Sequence, residues 1–222
     1  MTTSAVKSNL GIIVAVGSVW GLTEFAAGMG LQKCAVLFTG AILTGVAFFW
    51  VSFIWSITRK LLPVLLIVGL AILFKFLDAL LLPVAWNHGS ILNPAYAFVT
   101  ILIGFSLLIL LFKNQFSSKL RNRILLGAGA AIIATAMFPL VRFATGSAAC
   151  FYASTNIPLA VYTAPVAIVI SMITVPLGYR AALWYTGNAR DENTIQPSFL
   201  SRLWSPAVLV CCILIITLIR II

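Results

Sequence analysis

The sequence predicts an all-α polytopic membrane protein: a transmembrane helical bundle of six to seven spans, occupying residues 1–222 as a single integral membrane domain. Three observations predict it. Apolar residues make up 62% of the chain and charged residues 8%, whereas a soluble domain carries about 25% charged side chains. Apolar runs of about 20 residues, the length that crosses the hydrocarbon core as a helix, recur from end to end. These runs are continuous, not alternating in segments of about 10 residues, so helices and not barrel strands satisfy the backbone in lipid.

Seven runs are expected to cross, near residues 10–30, 35–58, 61–84, 93–113, 124–143, 159–179 and 204–221. The first carries Glu24 and exceeds the 7–15 apolar residues of a typical signal-peptide core, so it reads as a span. The second stops at Arg59-Lys60. The third contains Lys75 and Asp78, and a polar segment with Trp86, Asn87, His88, Gly89 and Ser90 follows it. The fourth opens on Asn93-Pro94. The basic segment Asn114 to Arg123 precedes the fifth, which carries Arg142 near its end. After the sixth comes a polar linker, 187–203, and Val208 through Leu218 are apolar enough to make the seventh.

Loop charges orient these spans. The N-terminal side holds Lys7, Arg59, Lys60, Lys113, Lys119, Arg121, Arg123, Arg180, Arg190 and Arg202; the other side holds Lys33, Arg142 and Arg220. A ten-to-three excess places the N-terminal side in the cytoplasm. Trp50, Trp55, Trp184 and Trp204 fall toward cytoplasmic ends and Trp86 toward an external end, where indoles prefer to sit. The net charge of +10 is thus a topology signal, and no nucleic acid is expected as partner.

Several chemistries are excluded. Neither a phosphate-binding G-x-x-x-x-G-K-[ST] nor a G-x-G-x-x-G occurs, so any ATP-driven step belongs to another polypeptide. Four cysteines and one histidine offer no zinc spacing, so no metal is expected. A single histidine excludes bis-His haem ligation within the chain, and no cofactor is expected. No nucleophile has a base at a recognisable spacing, so the chain is not read as an enzyme.

What does point to function is the charge inside the runs. Glu24, Lys75, Asp78 and Arg142 are costly in hydrocarbon and rarely face lipid. Glu24 and Lys75 each lie roughly 21 Å along their spans, and Arg142 roughly 27 Å. All four fall in the outer half of the bilayer. Lys75 and Asp78, three residues apart, share a helix face and can neutralise each other locally. Alternatively Glu24, Lys75 and Asp78 line a polar cavity facing outward, beneath Asn87, His88 and Asn93. The expected ligand-binding set is therefore Glu24, Lys75, Asp78, Asn87, His88, Asn93 and Arg142. Cys34 and Cys150 fall in external loops, where an oxidising compartment permits a disulfide; two free thiols fit equally. Small residues recur at Gly17/Gly21, Ala41/Gly45, Gly127/Ala131 and Ala130/Ala134. This spacing lets helices approach closely, within the chain or against another membrane subunit.

The segments Gly17-Ser18-Val19-Trp20-Gly21-Leu22-Thr23-Glu24, Gly40 to Gly45, Phe74 to Asp78 and Asn93-Pro94-Ala95 resemble small bacterial membrane proteins similar to the S-components of energy-coupling factor transporters. The resemblance covers roughly the first 110 residues. It implies a bacterial inner (cytoplasmic) membrane protein, multi-pass with its N-terminus inside, that binds a small-molecule solute from outside. It implies other membrane subunits as partners beside the lipid, with Gly17 and Gly21 in the docking contact. The chain departs from that family in having seven expected spans where the family has six, and in lacking its N-terminal metal-binding histidine motif. Two functions are expected: a membrane-embedded solute-binding subunit of a multi-subunit transporter, or a non-catalytic membrane subunit or anchor of a larger complex, for example a respiratory one.

Overall fold

The computed structural model describes residues 3–34, 38–81, 87, 89–112, 119–146, 157, 159–191 and 199–221. Every regular element among the described residues is helical. The long helices are α1 (Thr3–Cys34), α2 (Thr39–Thr58), α3 (Leu61–Leu81), α4 (Gly89–Phe112), α5 (Leu120–Met137), α6 (Ala164–Asp191) and α7 (Phe199–Ile221). A 3-10 turn, Phe138–Leu140, and a helical turn, Val141–Thr145, follow α5; the short helix Leu159–Tyr162 precedes α6.

Four stretches are long and apolar enough to cross a bilayer: Thr39–Thr58, Ile91–Phe112, Leu120–Thr145 and Ala164–Gly187. Shorter apolar stretches lie in α1 (Leu10–Ala26), α3 (Leu61–Leu77) and α7 (Pro206–Leu218). The protein is therefore embedded in a membrane.

Helix limits depart from the apolar runs in instructive places. α6 continues to Asp191, well past residue 179, because a helix ladder persists in water once lipid has ended. α4 begins at Gly89, so Asn93 and Pro94 belong to the helix and not to a loop. Pro94 deprives only the Ser90 carbonyl of its intrahelical donor, near an end where such a loss is least costly. At Pro139 the α ladder of the α5 run gives way to the 3-10 turn. Gly146 then closes the run at φ 72°, donating its N–H to the Arg142 carbonyl at 3.0 Å; only glycine adopts that conformation without penalty.

Neighbouring pairs close a circuit. α1 packs on α3, α3 on α4, α4 on α5, α5 on α6, α6 on α2, and α2 returns to α1 while also touching α3 and α4. α7 lies outside this circuit against α1, attached through Cys212 and Ile216 beside Phe25 and Phe74. Glycines set the closest approaches. A Cβ on Gly17 or Gly21 would strike Leu70 or Phe74 of α3, one on Gly45 would strike Ile170 of α6, and one on Gly104 would lie 2.7 Å from the Ala130 carbonyl oxygen of α5. At Gly127 and Gly178 the obstruction includes backbone: Ser171 for the first, Phe49 for the second. Ser52 then donates across the α2–α6 seam to the Val175 carbonyl at 3.2 Å. The core so enclosed includes Trp20, Phe48, Ile54, Ile67, Phe105, Leu126 and Tyr179. Leu62, Leu73, Leu110, Ile132, Ile173 and Leu214 point outward, as lipid contact requires.

The bundle has two chemically distinct ends. At one, Arg59 of the α2 terminus and Arg123 of α5 lie over the ring of buried Tyr179, at 5.8 and 4.8 Å from its centroid. This cation–π arrangement ties α2, α5 and α6 together. Arg59 holds a left-handed φ of 52° and donates its N–H to the Trp55 carbonyl at 2.9 Å. Such a backbone costs a non-glycine residue about 1–2 kcal/mol, which the two contacts offset. Lys60, Lys119 and Arg121 are exposed beside them. The opposite end carries the candidate site.

Candidate functional site

Trp20 and Glu24 are one turn apart on α1, so they share a face. That face turns inward: Trp20 is wholly buried and Glu24 is 1% exposed. The Trp20 ring packs edge-on to Phe98 of α4, with centroids 5.2 Å apart. Its Nε1–H donates to Glu24 Oε1 at 3.3 Å, slightly long for a bond of this type. Isolating a carboxyl group from water is costly unless polar partners surround it. The indole is one such partner, and Lys75, half-buried on α3, acts on Glu24 electrostatically.

Glu24 lines a cavity of about 210 Å³ at the end of the bundle opposite the arginines. Small residues create the space. Gly40 and Ala41 of α2, Ala97 of α4, Ala134 of α5, Ala160 and Ala167 all stand on its wall, so several helices turn short side chains toward one point. Larger apolar groups, Leu43, Phe98, Ile101, Phe138 and Leu159, complete the lining. Phe138 opens the 3-10 turn, and the Tyr96 hydroxyl donates to the Met137 carbonyl just before it at 3.2 Å.

The polar lining beyond Glu24 comprises Asn93, Thr44, Thr100, Thr135 and Thr163. The threonine hydroxyls are committed. Thr44 donates to the Gly40 carbonyl at 2.7 Å, Thr100 to Ala97 at 2.8 Å, Thr135 to Ala131 at 2.7 Å and Thr163 to Leu159 at 3.0 Å. A hydroxyl has one proton; with that proton given to its own helix, each oxygen retains only acceptor capacity.

Of the residues expected to gather here, Glu24 and Asn93 do so. Lys75 influences Glu24 from α3 without lining the cavity. Asn87 is exposed in a turn, and Arg142 is exposed on the helical turn after α5; neither lines the cavity. The Asp78 side chain, His88 and the Cys34–Cys150 pair lie outside the described residues. Gly17 and Gly21 are taken up by α3 within the chain. Among the described residues, no three His, Cys, Asp or Glu side chains gather to hold a metal ion.

Sequence reasoning missed the four threonines and the alanines. The available signal was indirect: Ala41 and Ala134 stand out for helix spacing, but nothing in one sequence distinguishes a small residue that closes a gap from one that leaves a gap. No family model, curated protein or solved structure matches the chain.

Proposed function

We propose that this protein is the membrane-embedded solute-binding subunit of a multi-subunit transporter. In this reading all seven long helices cross a bacterial inner membrane with the N-terminus in the cytoplasm, and the cavity takes its ligand from the outer side. The observation that carries the reading is the cavity at Glu24: a buried carboxyl group on the wall of a space surrounded by largely apolar side chains, the usual composition of a small-molecule site. The charge distribution agrees with it. Arg59, Lys60, Lys119, Arg121 and Arg123 sit at the end away from the cavity, and a basic end belongs in the cytoplasm, which turns the cavity outward.

The chain performs no chemistry in this reading. It binds, and partner subunits carrying ATPases supply the energy for release, as the likeness of its first 110 residues to S-components suggests. An anchor subunit would need Glu24 balanced by a neighbour such as Lys75, but it would have no use for a cavity assembled from small residues on several elements.

The test is to purify the protein from its native membrane with its partners and to analyse released small molecules by mass spectrometry. A solute is expected from the native chain and not from Ala134→Leu, whose added side chain projects into the space. Co-purification with redox subunits and no solute from either chain would overturn the proposal.

A further inference from the structure

The cavity wall is polarised in one sense. Its carboxyl group and its four threonine oxygens are acceptors, since each threonine proton is already given to a helix carbonyl. Among the described residues, Asn93 is the one lining side chain that carries an amide donor, and no lysine, arginine or histidine stands on the wall. A ligand held here must bring its own donors. It must also be mostly apolar, because the remaining wall is alanine, leucine, isoleucine and phenylalanine.

From this we infer that the solute is a small organic amine bound as its ammonium ion, with the N–H groups on Glu24 and the threonine oxygens and the hydrocarbon body against Phe98, Phe138 and Ile101. An ammonium group carries only donors, which matches a wall of acceptors. Charge-assisted hydrogen bonds to a carboxylate are about twice as strong as neutral ones. Lys75 acts on Glu24 electrostatically from α3 and is not among the residues that line the wall. The inference rests on the solute-binding reading and adds the class of solute to it.

The two can be separated by one experiment. The full chain, reconstituted in phosphatidylcholine nanodiscs, is titrated by equilibrium dialysis with phenethylammonium, 2-phenylethanol and 3-phenylpropionate, and compared with empty nanodiscs. The expected result is that the ammonium binds about ten-fold or more tightly than the alcohol, a difference of roughly one charge-assisted hydrogen bond, and that the carboxylate does not bind. Glu24→Gln, which keeps the shape and an acceptor for Trp20, is expected to remove the preference for the ammonium over the alcohol. Equal binding of all three, tightest binding of the carboxylate, or a preference untouched by Glu24→Gln overturns the amine assignment and leaves a solute site standing. If none of the three binds above the empty discs, the amine assignment falls, and solute release in the purification test above then decides the broader reading by itself.

Discussion

At the scale of single residues, glycine decides how close the helices come. Gly127 faces the Ser171 backbone of α6, and backbone cannot rotate aside as a side chain can. Gly127→Ala is therefore expected to destabilise the protein by about 1–3 kcal/mol, the usual range for overpacking. A methyl group on Gly69 of α3 would meet nothing within 4 Å, so Gly69→Ala is expected to stabilise slightly, by about 0.5–1 kcal/mol from helix propensity. Thermal midpoints of the two variants in one detergent check both signs; a fall for Gly69→Ala equal to that for Gly127→Ala would mean that contact with α6 is not what matters. The same scale explains Glu24. Its carboxyl group was legible in the sequence as a charge out of place in an apolar run. Its partner Trp20 was legible only as one residue of a motif, because the hydrogen bond depends on both side chains turning inward together.

At the scale of elements, α7 differs from the rest. It adds Cys212 and Ile216 to a small cluster with Phe25 and Phe74 and, like α3, contributes no residue to the cavity wall. The circuit of α1 to α6 closes without it. A chain ending at residue 198 is therefore expected to insert, to keep its cavity and to bind solute with unchanged affinity, with a lower thermal midpoint from the exposed Phe25 and Phe74. Size-exclusion profile, thermal midpoint and dialysis on the truncated chain test this; loss of binding with an intact profile would show that α7 shapes the cavity. The 3-10 turn Phe138–Leu140 joins α5 to its last helical turn: Phe138 stands on the cavity wall, whereas Arg142 is exposed and off it.

At the scale of the whole molecule, the two ends divide the labour. One end is cationic and knitted together by Arg59, Arg123 and Tyr179; the other carries the acceptor-lined cavity. Orientation follows from that division and can be read directly. Asn87 and Lys119 are both exposed and belong to opposite ends in the proposed topology. In intact cells, a membrane-impermeant maleimide is expected to label Asn87→Cys and not Lys119→Cys, above the signal of the unsubstituted chain; permeabilised cells are expected to show both. The reverse pattern would invert the topology and turn the cavity to the cytoplasm.

The sequence by itself determined that this is a helical membrane protein and that Glu24, Lys75, Asp78 and Arg142 are charges set in or at the edge of apolar runs. Each of these depends on short-range quantities: the apolar length of a run, the position of a proline or glycine, the cost of a carboxyl group in hydrocarbon. The tertiary structure alone decided that Glu24 shares a cavity wall with Asn93 and not with Arg142, that Gly17 and Gly21 serve α3, and that four threonines and a set of alanines stand around one space. A void belongs to no residue. It arises from the distances between helices distant in sequence, and an alanine that leaves room looks the same in the sequence as an alanine that fills it.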